Sequence, residues 1–538
     1  MPIRERATAV VAVVVAVVGL GAGVSQAGAG HHGSRRGADW PTWTGDLAGS
    51  RHNAAEWRIT PATVGKLKLK WAYAYPKGTP PVRSQPAVVG GVVYFGSPDG
   101  TFHARDAKTG AERWVTDLTT ISPGGRKAVP WDGPSVADGK VYVGDIRGWV
   151  YALDQRTGRP LWSKQVDAHP AATVTSSPIV YDGKVYVGTS SGENSNNSPD
   201  GSQDDPNYPC CTFRGHIDAL DARTGELVWR HYTVPQPQAV GTWPSGATRY
   251  EPSGAGVWSS PVVDKATGTV YVGTGQNYTG SAGEFDTLLA LDARTGGVRW
   301  RNQVTKADTW RGLCNTPDAA GYCPGLGDDT ALDYDIGATP NLFTVNGRKL
   351  VGVGQKLGVY HVFDATTGEV VWRRQLGVPL PGGGISGIQW GSSYDGRRLY
   401  ISTYFAEPGA VHAVDPATGA VLWKTPNPAD GCTTGGAAGH PEVCFPAQGA
   451  AATSTPGLVW EGSNDGKLRA YASGTGRVLW TFDTVRDFAG VNGVTGTGSA
   501  IAGGGGGVVV SDGMVYVQSG YWPEYPSEHG HVLLAFGL

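Results

Sequence analysis

The sequence predicts an all-β fold, an eight-bladed β-propeller, and three observations lead to this prediction. Of the 538 residues, 82 are Gly and 19 are Trp, and only 17% are charged, a composition typical of aromatic strands joined by glycine-rich turns. A motif ending in Thr-Gly-x-x-x-Trp recurs seven times. Short runs of β-branched residues precede the copies, and the modules follow one another at intervals of about 50 to 70 residues.

Each copy of the repeat predicts two strands joined by a tight turn. The copy that ends at Trp229 reads DALDARTGELVW, and six of the seven copies have an Asp four residues before the Gly, whereas the seventh has Ala472 there. Asp and Thr side chains close such turns, and Gly supplies the positive φ. We predict that the Trp packs one blade against the next. The copies end at Trp114, Trp162, Trp229, Trp300, Trp372, Trp423 and Trp480.

The eighth module differs from the other seven. Its β run, MVYVQSG, precedes the segment HVLLAFGL, which lacks the Trp motif. A propeller blade needs four strands, and this module supplies fewer, so we expect the eighth blade to take a strand from the N-terminal part of the mature chain. Such an exchange closes the ring.

The N-terminus resembles a secretory signal peptide. Two arginines precede an apolar run over residues 7–24, and Ser25-Gln26-Ala27 offers small residues for cleavage. An uncleaved membrane anchor is the alternative, and no later stretch is apolar enough to span a bilayer. We expect a signal peptide over 1–27 and a single propeller domain over 28–538. The location would be secreted, periplasmic or cell-envelope, without stable membrane insertion after signal removal.

The net charge indicates which kinds of partner the protein can bind, and the cysteine content bears on its compartment. The formal net charge is -2, so no basic field argues for nucleic acid. Export permits disulfides, and the simplest pairing by sequence distance joins neighbouring cysteines, although the sequence alone leaves other pairings open. No Cys-x-x-Cys-His motif occurs, so no c-type haem is attached. The neighbouring pairs are Cys210/Cys211, Cys314/Cys323 and Cys432/Cys444.

The departures from the repeat fall on one predicted face. In a four-stranded antiparallel blade, the loop between strands two and three shares a face with the connection to the next blade. The repeated Asp-x-x-Thr-Gly turn lies on the opposite, uniform face. The long polar insertion before Cys210 and the two other cysteine-containing segments lie on the variable face. Irregular polar loops on a rigid scaffold are where function is expected.

The repeat resembles the tryptophan-docking motif of the pyrroloquinoline quinone (PQQ) dependent alcohol dehydrogenases. The opening segments DWPTWTGDLAGSRHNAAE and LKLKWAYAYP are also similar to that family's N-terminal part. The segments CCTFRG, PSGAGVWSSP, FDTVRDFAGVNGV and HVLLAFGL resemble its polyvinyl-alcohol dehydrogenase branch. The resemblance covers essentially the whole mature chain and implies the quinoprotein propeller. Propeller repeats occur in non-catalytic scaffolds as well.

The resemblance implies a metal site. Glu193 stands where the family has a ligand glutamate, and Gln276-Asn277 stands where it has an amide ligand, which leaves open which of the two amides points inward. The segment LDYDIGATP resembles the family's WDYDATQQP, which places the catalytic base at Asp333 and a second carboxylate at Asp335. Carboxylate and amide oxygens suit a hard cation, expected to be Ca²⁺ with a lanthanide as the alternative.

One departure from the family pattern leaves a second candidate base. Many relatives have the aspartate directly after a Trp, whereas here an insertion with Cys314 and Cys323 separates Trp310 from Asp333. Asp308 is therefore the alternative base.

The resemblance also implies the residues that contact the cofactor. Lys356 matches the basic residue that contacts the quinone carbonyl, and Trp258 matches the tryptophan on which PQQ stacks. Adjacent cysteines close almost no loop, so a disulfide between them has little value for stability. The pair resembles the vicinal disulfide that covers PQQ in methanol dehydrogenases. The full expected set of cofactor contacts is Cys210, Cys211, Arg214, Trp258, Lys356 and Trp390.

The function implied is a secreted enzyme that oxidises alcohols to carbonyls. Asp333 would accept the alcohol proton while hydride passes to a metal-activated quinone, with Lys356 stabilising the negative charge. Electrons would pass to an external acceptor such as a cytochrome c. The branch suggests secondary or polymeric alcohols, and small primary alcohols stay open. The rival hypothesis is a non-catalytic propeller that scaffolds the assembly of envelope proteins.

Overall fold

The computed structural model describes ten stretches of the chain, and the signal peptide predicted over 1–27 lies outside them. The chain divides into a segment over 1–35 and a compact unit over 36–538. In the described part no helix is both long enough and apolar enough to cross a membrane. The described residues are 39–122, 127–196, 205, 207–315, 321–323, 333–379, 386–404, 409–503, 506–521 and 530–538.

Eight antiparallel blade sheets follow one another along the chain, which confirms the predicted all-β propeller. In the first four blades the strands run from the inner to the outer edge in chain order. Blade 3 carries one additional short strand, β10, and two small ribbons, β15–β16 and β17–β20, lie in the connections. The strands of this half are β1 (Lys68–Ala74), β2 (Ala87–Val89), β3 (Val92–Gly96), β4 (Thr101–Asp106), β5 (Glu112–Asp117), β6 (Ser135–Ala137), β7 (Lys140–Gly144), β8 (Trp149–Asp154), β9 (Pro160–Gln165), β10 (Ala172–Thr173), β11 (Ile179–Tyr181), β12 (Lys184–Ser191), β13 (His216–Asp221), β14 (Leu227–Tyr232), β15 (Gln238–Thr242), β16 (Thr248–Glu251), β17 (Ser253–Gly254), β18 (Val262–Asp264), β19 (Thr269–Gly273), β20 (Asn277–Thr279), β21 (Thr287–Asp292) and β22 (Val298–Gln303).

The second half repeats the same arrangement in blades 5 to 8. Its strands are β23 (Asn341–Val345), β24 (Arg348–Gly354), β25 (Val359–Asp364), β26 (Val370–Gln375), β27 (Ser393–Tyr394), β28 (Leu399–Thr403), β29 (Ala410–Val414), β30 (Val421–Pro426), β31 (Thr453–Thr455), β32 (Leu458–Gly462), β33 (Lys467–Ala472), β34 (Val478–Asp483), β35 (Asp487–Ala489), β36 (Thr495–Thr497), β37 (Val509–Ser511), β38 (Met514–Ser519) and β39 (Val532–Gly537). The helical segments are α1 (Glu193–Asn196) and the 3₁₀ turns Val64–Lys66, Leu118–Ile121, Gly312–Asn315 and Gly435–Gly439.

Blade 8 is closed by the N-terminal strand, as predicted. Its order is β1-β39-β38-β37, so β1 forms the outer edge of a blade whose other strands come from the C-terminal part. The register pairs Trp71 with Ala535 and Tyr73 with Leu533. The two ends of the propeller chain are therefore held together by a strand ladder.

The repeated tryptophans pack adjacent blades together, in agreement with the sequence prediction. The indole Nε1 of Trp229 in blade 3 donates to the carbonyl oxygen of Ala293 in blade 4 at 3.1 Å. A Cβ on Gly296 would lie 2.6 Å from that indole ring, so the glycine of the next turn permits the close approach. Trp71 of β1 donates to Ala107 at 3.1 Å and so links blade 8 to blade 1.

The segment over 40–53, here called the inner segment, joins the innermost strands of seven blades. Its hydrogen-bond partners and bridges include Val88, Val136, Val263, Leu342, Tyr394, Ser454 and Val510. These residues belong to β2, β6, β18, β23, β27, β31 and β37. Arg51 is 1% exposed and donates to the Ala452 carbonyl, Gln85 and Thr453. The inner segment therefore ties the blades together at their inner edges.

The three disulfides are the neighbouring pairs expected from the sequence. They join Cys210 to Cys211, Cys314 to Cys323 and Cys432 to Cys444. All three lie in loops on the face opposite the Asp-x-x-Thr-Gly turns. The variable face of the propeller is thus also the cross-linked face.

Candidate active site in the central cavity

A cavity of about 630 Å³ opens where the innermost strands converge. Its wall is rich in aromatic rings and carries charged groups of both signs. The aromatic residues are Trp43, Trp131, Trp258, Trp390, Tyr278 and Tyr521, and the charged residues are Arg83, Asp132, Arg147, Asp335 and Lys356. Such a wall suits a flat ligand that carries negative charge.

One sequence position supplies the cavity wall in six consecutive blades. In blades 1 to 6 the residue four places before the innermost strand lines the cavity. These residues are Arg83, Trp131, Thr175, Trp258, Gly337 and Gln389. The reason is the blade geometry, because each connection comes from the outer edge of one blade and reaches the central axis just before the next inner strand begins.

The two tryptophans expected to contact the cofactor both line the cavity. The Trp258 and Trp390 rings are 5.8 Å apart with an interplanar angle of 72°. A Cβ on Gly337 would lie 1.8 Å from the Trp258 ring, so only glycine allows the backbone of the next connection to pack there. The Trp258 ring is therefore held in a fixed orientation by the neighbouring connection.

Lys356 joins the two aspartates of the DYD segment. Its Nζ lies 2.5 Å from Asp333 Oδ2 and 2.6 Å from Asp335 Oδ2, and 5.4 Å from the centroid of the Trp258 ring. The Lys356 backbone N–H also donates to the Asp335 carbonyl at 3.0 Å. Asp335 and Lys356 line the cavity, whereas Asp333 lies behind them. The structure thus brings together three of the residues expected at the centre of catalysis.

The electrostatics of this triad follow from burial and from an excess of negative charge. Burial raises the pKa of Asp333 to about 7, and the neighbouring Asp335 carboxylate adds to the effect while Lys356 opposes it. Burial would lower the pKa of Lys356, but the charges of Asp333 and Asp335 outweigh it and raise that pKa. One cation therefore faces two carboxylates, which leaves one negative charge for a proton or a further cation.

The alternative base, Asp308, occupies a different place. Its Oδ2 accepts from the Tyr334 N–H at 2.8 Å, and it does not line the cavity. Burial raises its pKa well above the ordinary value, and the nearby Asp286 adds to this. Asp308 therefore fixes the backbone between Asp333 and Asp335 from behind.

The two candidate amide ligands lie in different places relative to the cavity. Gln276 lines the cavity, and its backbone N–H donates to Asp335 Oδ1 at 2.5 Å. Asn277 is fully buried, and its Nδ2 donates to the carbonyls of Gly280 and Ala282. Its Oδ1 receives no hydrogen bond from any described residue, and neither does Asp333 Oδ1. No described residue donates a hydrogen bond to these two buried oxygens, and oxygens of this kind are suitable ligands for a cation.

Glu193 lies between two residues of the cavity wall, Gly192 and Asn194. It begins α1, is 0% exposed and does not line the cavity. Its carboxylate accepts from the Thr212 N–H at 2.9 Å, the Phe213 N–H at 2.8 Å and the Tyr208 hydroxyl at 3.1 Å. In this arrangement the carboxylate holds the loop that follows the adjacent cysteines, and its role as a metal ligand stays a prediction.

The vicinal cysteines also lie outside the cavity wall. Cys210 and Cys211 are buried in a cluster with Phe213 and Tyr278, and Tyr278 itself lines the cavity. Among the described residues, the one set of three metal-ligating types with close ligand atoms is Glu193 with these two cysteines. Their sulfurs are bonded to each other and are not thiolates, so this set is a poor metal site.

Arg214 likewise does not reach the cavity. Its guanidinium donates to the Val234 carbonyl at 3.0 Å and to Gln236 at 3.2 Å, and it lies 3.6 Å from the Tyr232 ring centroid. The geometry therefore gives Arg214 a structural role at the outer part of blade 3. Contact with the cofactor stays a prediction for this residue.

The sequence prediction missed several wall residues. Trp131 and Arg83 lie four residues before the inner strands of blades 2 and 1, the same register as Trp258, and Asp132 follows Trp131 directly. The position four residues before each inner strand was the signal that could have found Arg83 and Trp131. Trp43 and Tyr521 had no such signal, because Trp43 belongs to the inner segment and Tyr521 follows the second strand of blade 8.

Fold and site together define a class: a tryptophan-docked eight-bladed propeller with an aromatic, charged central cavity. Residues 40–312 match the family model for the glucose/ethanol/alcohol dehydrogenase β-propeller domain. Residues 356–520 match the model for the outer membrane protein assembly factor BamB. Two different uses of this fold are thus represented among the similar families.

The curated relatives favour the alcohol dehydrogenase family over the BamB family. A polyvinylalcohol dehydrogenase of a Pseudomonas species is 33% identical over 93% of this chain and 77% of its own length. The polyvinylalcohol dehydrogenase of Sphingopyxis sp. (strain 113P3) is 32% identical over 93% of this chain and 76% of its own length. This chain therefore belongs to the family of PQQ-dependent alcohol dehydrogenases.

Solved structures agree with the fold. The crystal structure of the quinohemoprotein alcohol dehydrogenase from Comamonas testosteroni has a TM-score of 0.67 and 22% identity, and the match covers 94% of this chain and 81% of that one. BamB from Moraxella catarrhalis matches with a TM-score of 0.53 and 17% identity, covering 88% of this chain and all of that one. Both similarities concern the fold.

Proposed function

We propose that this chain oxidises secondary or polymeric alcohols to carbonyl compounds with PQQ bound in the central cavity. The observation that carries the proposal is the placement of Trp258, Lys356 and Asp335 in the cavity wall, with Asp333 bound to Lys356 behind them. The tryptophan supplies a flat apolar surface, and the triad supplies charge and a proton acceptor.

The cavity residues fit PQQ, a planar tricyclic tricarboxylate. Arg83, Arg147 and Lys356 provide positive charge on its wall, and Trp258 and Trp390 provide ring faces. Several buried polar atoms of the wall have no hydrogen-bond partner among the described residues, among them Trp390 Nε1, Thr175 Oγ1 and Gln276 Nε2. Buried polar groups are normally paired, so these atoms support a bound polar ligand.

When bound, the quinone supplies an electrophilic carbonyl that accepts hydride equivalents. Asp333 has the properties of the general base, because its Oδ1 receives no hydrogen bond from the described residues and burial raises its pKa to about 7. Lys356 holds Asp333 through Oδ2 and places an ammonium charge beside the Trp258 ring. Asp335, fixed by the Gln276 N–H, keeps that ammonium in place.

We propose that a hard cation completes the site, Ca²⁺ or a lanthanide. Asp333, Asp335 and the amide oxygen of Gln276 or Asn277 are the ligands that the local chemistry favours, with Glu193 as the ligand that the family resemblance adds. Reconstitution of the apo-protein with PQQ and either Ca²⁺ or La³⁺ tests the metal. If Asp335 is a lanthanide ligand, Asp335→Ala should lose a La³⁺ advantage and keep some Ca²⁺ activity, and equal La³⁺ rates in both proteins would exclude that role.

The two curated relatives are the basis for the substrate class, because both are polyvinylalcohol dehydrogenases. Their named polymer is a chain of secondary alcohols. The sequence has no haem attachment motif, so we propose that electrons leave to a separate acceptor such as a cytochrome c. The signal-peptide pattern supports a secreted, periplasmic or cell-envelope location for the mature chain.

A scaffold function is the second candidate, and the match of residues 356–520 to the BamB model favours it. A scaffold has no use for a buried lysine between two aspartates in a cavity. The buried triad is therefore the feature that separates the two functions.

Dye-linked activity tests the proposal directly. Purified apo-protein is assayed with and without PQQ and CaCl₂ on polyvinyl alcohol, a short secondary diol, and a secondary and a primary alcohol of equal carbon number. We expect PQQ-dependent turnover that is highest on the secondary diol and the polymer. Absence of both PQQ binding and turnover would favour the scaffold, and preference for the primary alcohol would overturn the substrate class alone.

A further inference from the structure

Arg83 is a cation in the cavity wall without a charged partner. In the described part of the chain it makes no ion pair and no hydrogen bond, and its buried Nε lacks any partner. The other two cations differ from it, since Lys356 is paired with Asp333 and Asp335 and Arg147 is exposed. The buried Nε–H of Arg83 therefore has unmet hydrogen-bonding capacity, which an acceptor on a ligand in the cavity would satisfy.

Two aromatic rings fix the position of this guanidinium. Its Cζ lies 4.4 Å from the centroid of the Trp131 ring and 4.8 Å from that of Tyr521. Contacts with ring faces hold the planar group while its N–H donors stay available for a planar, two-oxygen acceptor. The arrangement is that of a prepared carboxylate site, because no side chain has to be reordered on binding.

The neighbouring wall does not neutralise Arg83. The adjacent carboxyl group, Asp132, accepts from the Gly144 N–H at 3.1 and 2.9 Å through its two oxygens. Burial raises the pKa of Asp132 well above its ordinary value, which favours the neutral acid. The positive charge of Arg83 is therefore directed to the cavity.

We propose that Arg83 is the anchor for a carboxylate of the bound quinone, on the side of the cavity formed by blades 1 and 8. This inference rests on the proposed use of PQQ. It adds a contact from blade 1, whereas the residues expected from the sequence belong to blades 3 to 6 and their connections. The cofactor would thus be held between Lys356 at one end and Arg83 at another.

The test is a binding titration of apo-protein by quenching of tryptophan fluorescence, with CaCl₂ present and without substrate. The ligands are PQQ and its trimethyl ester, which keeps the ring system but lacks the three carboxylate charges. We expect Arg83→Gln to bind PQQ at least about 30-fold more weakly than wild type, because truncating one partner of a desolvated charge pair has effects of that order. For the ester, Arg83→Gln and wild type should bind alike.

Matched variants separate charge from folding. Arg83→Lys keeps the charge without the fork and should lose less affinity than Arg83→Gln. Arg113→Gln removes an exposed guanidinium paired with Asp106 on the opposite face and should bind PQQ like wild type. Thermal melts of every variant report folding.

PQQ affinity of Arg83→Gln within about twofold of wild type would overturn the anchor role, and so would equal losses for PQQ and its ester. If Arg83→Gln fails to fold, the same comparison of PQQ and ester in Arg83→Lys decides. A wild type that binds no PQQ contradicts the proposed function itself, which is a different outcome from a wild type and an Arg83→Gln variant that bind equally.

Discussion

Aspartates on the two faces of this propeller have opposite surroundings. Asp221, in the turn of blade 3, accepts from the Arg223 N–H, the Thr224 N–H and the Thr224 hydroxyl. These bonds from Thr224 hold the pKa of Asp221 below its ordinary value. Asp333, at the cavity, is buried behind Lys356, and burial raises its pKa to about 7. The carboxylate of Asp221 accepts hydrogen bonds from its own turn, whereas Asp333 Oδ1 accepts none from the described residues.

Asp221 represents the residues that stabilise the propeller, and Asp333 represents the residues that the propeller positions at the cavity. A turn aspartate makes nearly the same bonds in every blade that has one, because each one accepts from two backbone N–H groups of its own turn. A cavity aspartate depends on neighbours from several blades, and its unmet hydrogen-bonding capacity is available for chemistry. Substitutions in the turns should therefore change stability, and substitutions at the cavity should change cofactor binding or turnover.

The largest expected effect is loss of turnover in Asp333→Asn. Removal of a general base lowers the rate by roughly 100-fold to 10,000-fold, and we expect a loss in this range with PQQ affinity retained. Dye-linked activity and a PQQ titration measure the two properties. Asp221→Asn is the matched control on the turn face and should keep wild-type activity. Turnover of Asp333→Asn close to wild type would assign the base to another group, with Asp308 next to be tested.

The tryptophans give the next comparison. Trp258→Ala removes a ring of the cavity wall, and we expect PQQ affinity to fall by about 10-fold to 100-fold, the size of one stacking contact. Trp229→Ala removes a docking ring between blades 3 and 4, and the cost of such core truncations, about 3 to 5 kcal/mol, should lower the melting temperature instead. Fluorescence titration and calorimetry measure the two variants.

The two tryptophan variants should differ in both measurements. A Trp258→Ala protein with unchanged PQQ affinity would remove Trp258 from the binding site. A Trp229→Ala protein with wild-type stability would show that the docking contact contributes little.

The turn of the seventh repeat offers a substitution that should increase stability rather than decrease it. Ala472 stands where the other six repeats have Asp, and the turn still forms, with the Gly476 N–H donating to the Ala472 carbonyl at 2.8 Å. Ala472→Asp should add the missing side-chain bonds and stabilise the protein by about 1 kcal/mol. A urea titration measures the change, and a midpoint equal to or below that of wild type would mean that the backbone alone closes this turn.

The smallest expected effect is a pH dependence confined to acid. The pKa of a turn aspartate such as Asp292 is lowered to about 2, chiefly by Arg299, and in the unfolded chain it returns to about 3.9. Its contribution is therefore complete above about pH 4 and is lost as the pH falls toward 2. An Asp at position 472 has Leu479 in place of the arginine, and its pKa should be lowered by bonds from Thr475, as that of Asp221 is by Thr224. The advantage of Ala472→Asp over its parent should therefore also be lost in acid, as thermal melts at a series of pH values will measure. An advantage that persists at pH 2 would contradict a charge-dependent turn.

The propeller could be predicted because its determinants are local. Asp221, Thr224 and Gly225 close a turn within five residues, and Trp229 follows on the same strand, so a single copy contains the whole signal. The closing strand β1 followed from counting strands. The three disulfides joined neighbouring cysteines, which is the pairing that needs no knowledge of the fold.

The site was only partly predictable, because it is assembled across blades. Trp258, Gln276, Asp335 and Lys356 reach the cavity because each lies within six residues of a blade strand, β18, β19, β23 or β24, at the end of that strand that faces the cavity. Glu193 and Arg214 flank the long insertion between β12 and β13, whose course the sequence pattern does not determine. Glu193 binds the backbone of that insertion, and Arg214 binds Val234 and Gln236 beyond β14. The position of Arg83 four residues before an inner strand could place it in the cavity wall, but its contacts with the Trp131 and Tyr521 rings are visible only in the structure.

The pairing of β1 with β39 sets the order in which this molecule can be completed during synthesis. Lys70 and Leu538, 468 residues apart, are joined by a hydrogen bond at this edge. At about 5 to 20 residues per second, a ribosome needs roughly 20 to 90 seconds to make the chain between them. Throughout that interval Trp71 and Tyr73 have no strand to pair with, and the inner segment lacks its contacts to the last blades. The nascent chain therefore carries β1 without its partner strand until β39 has been made.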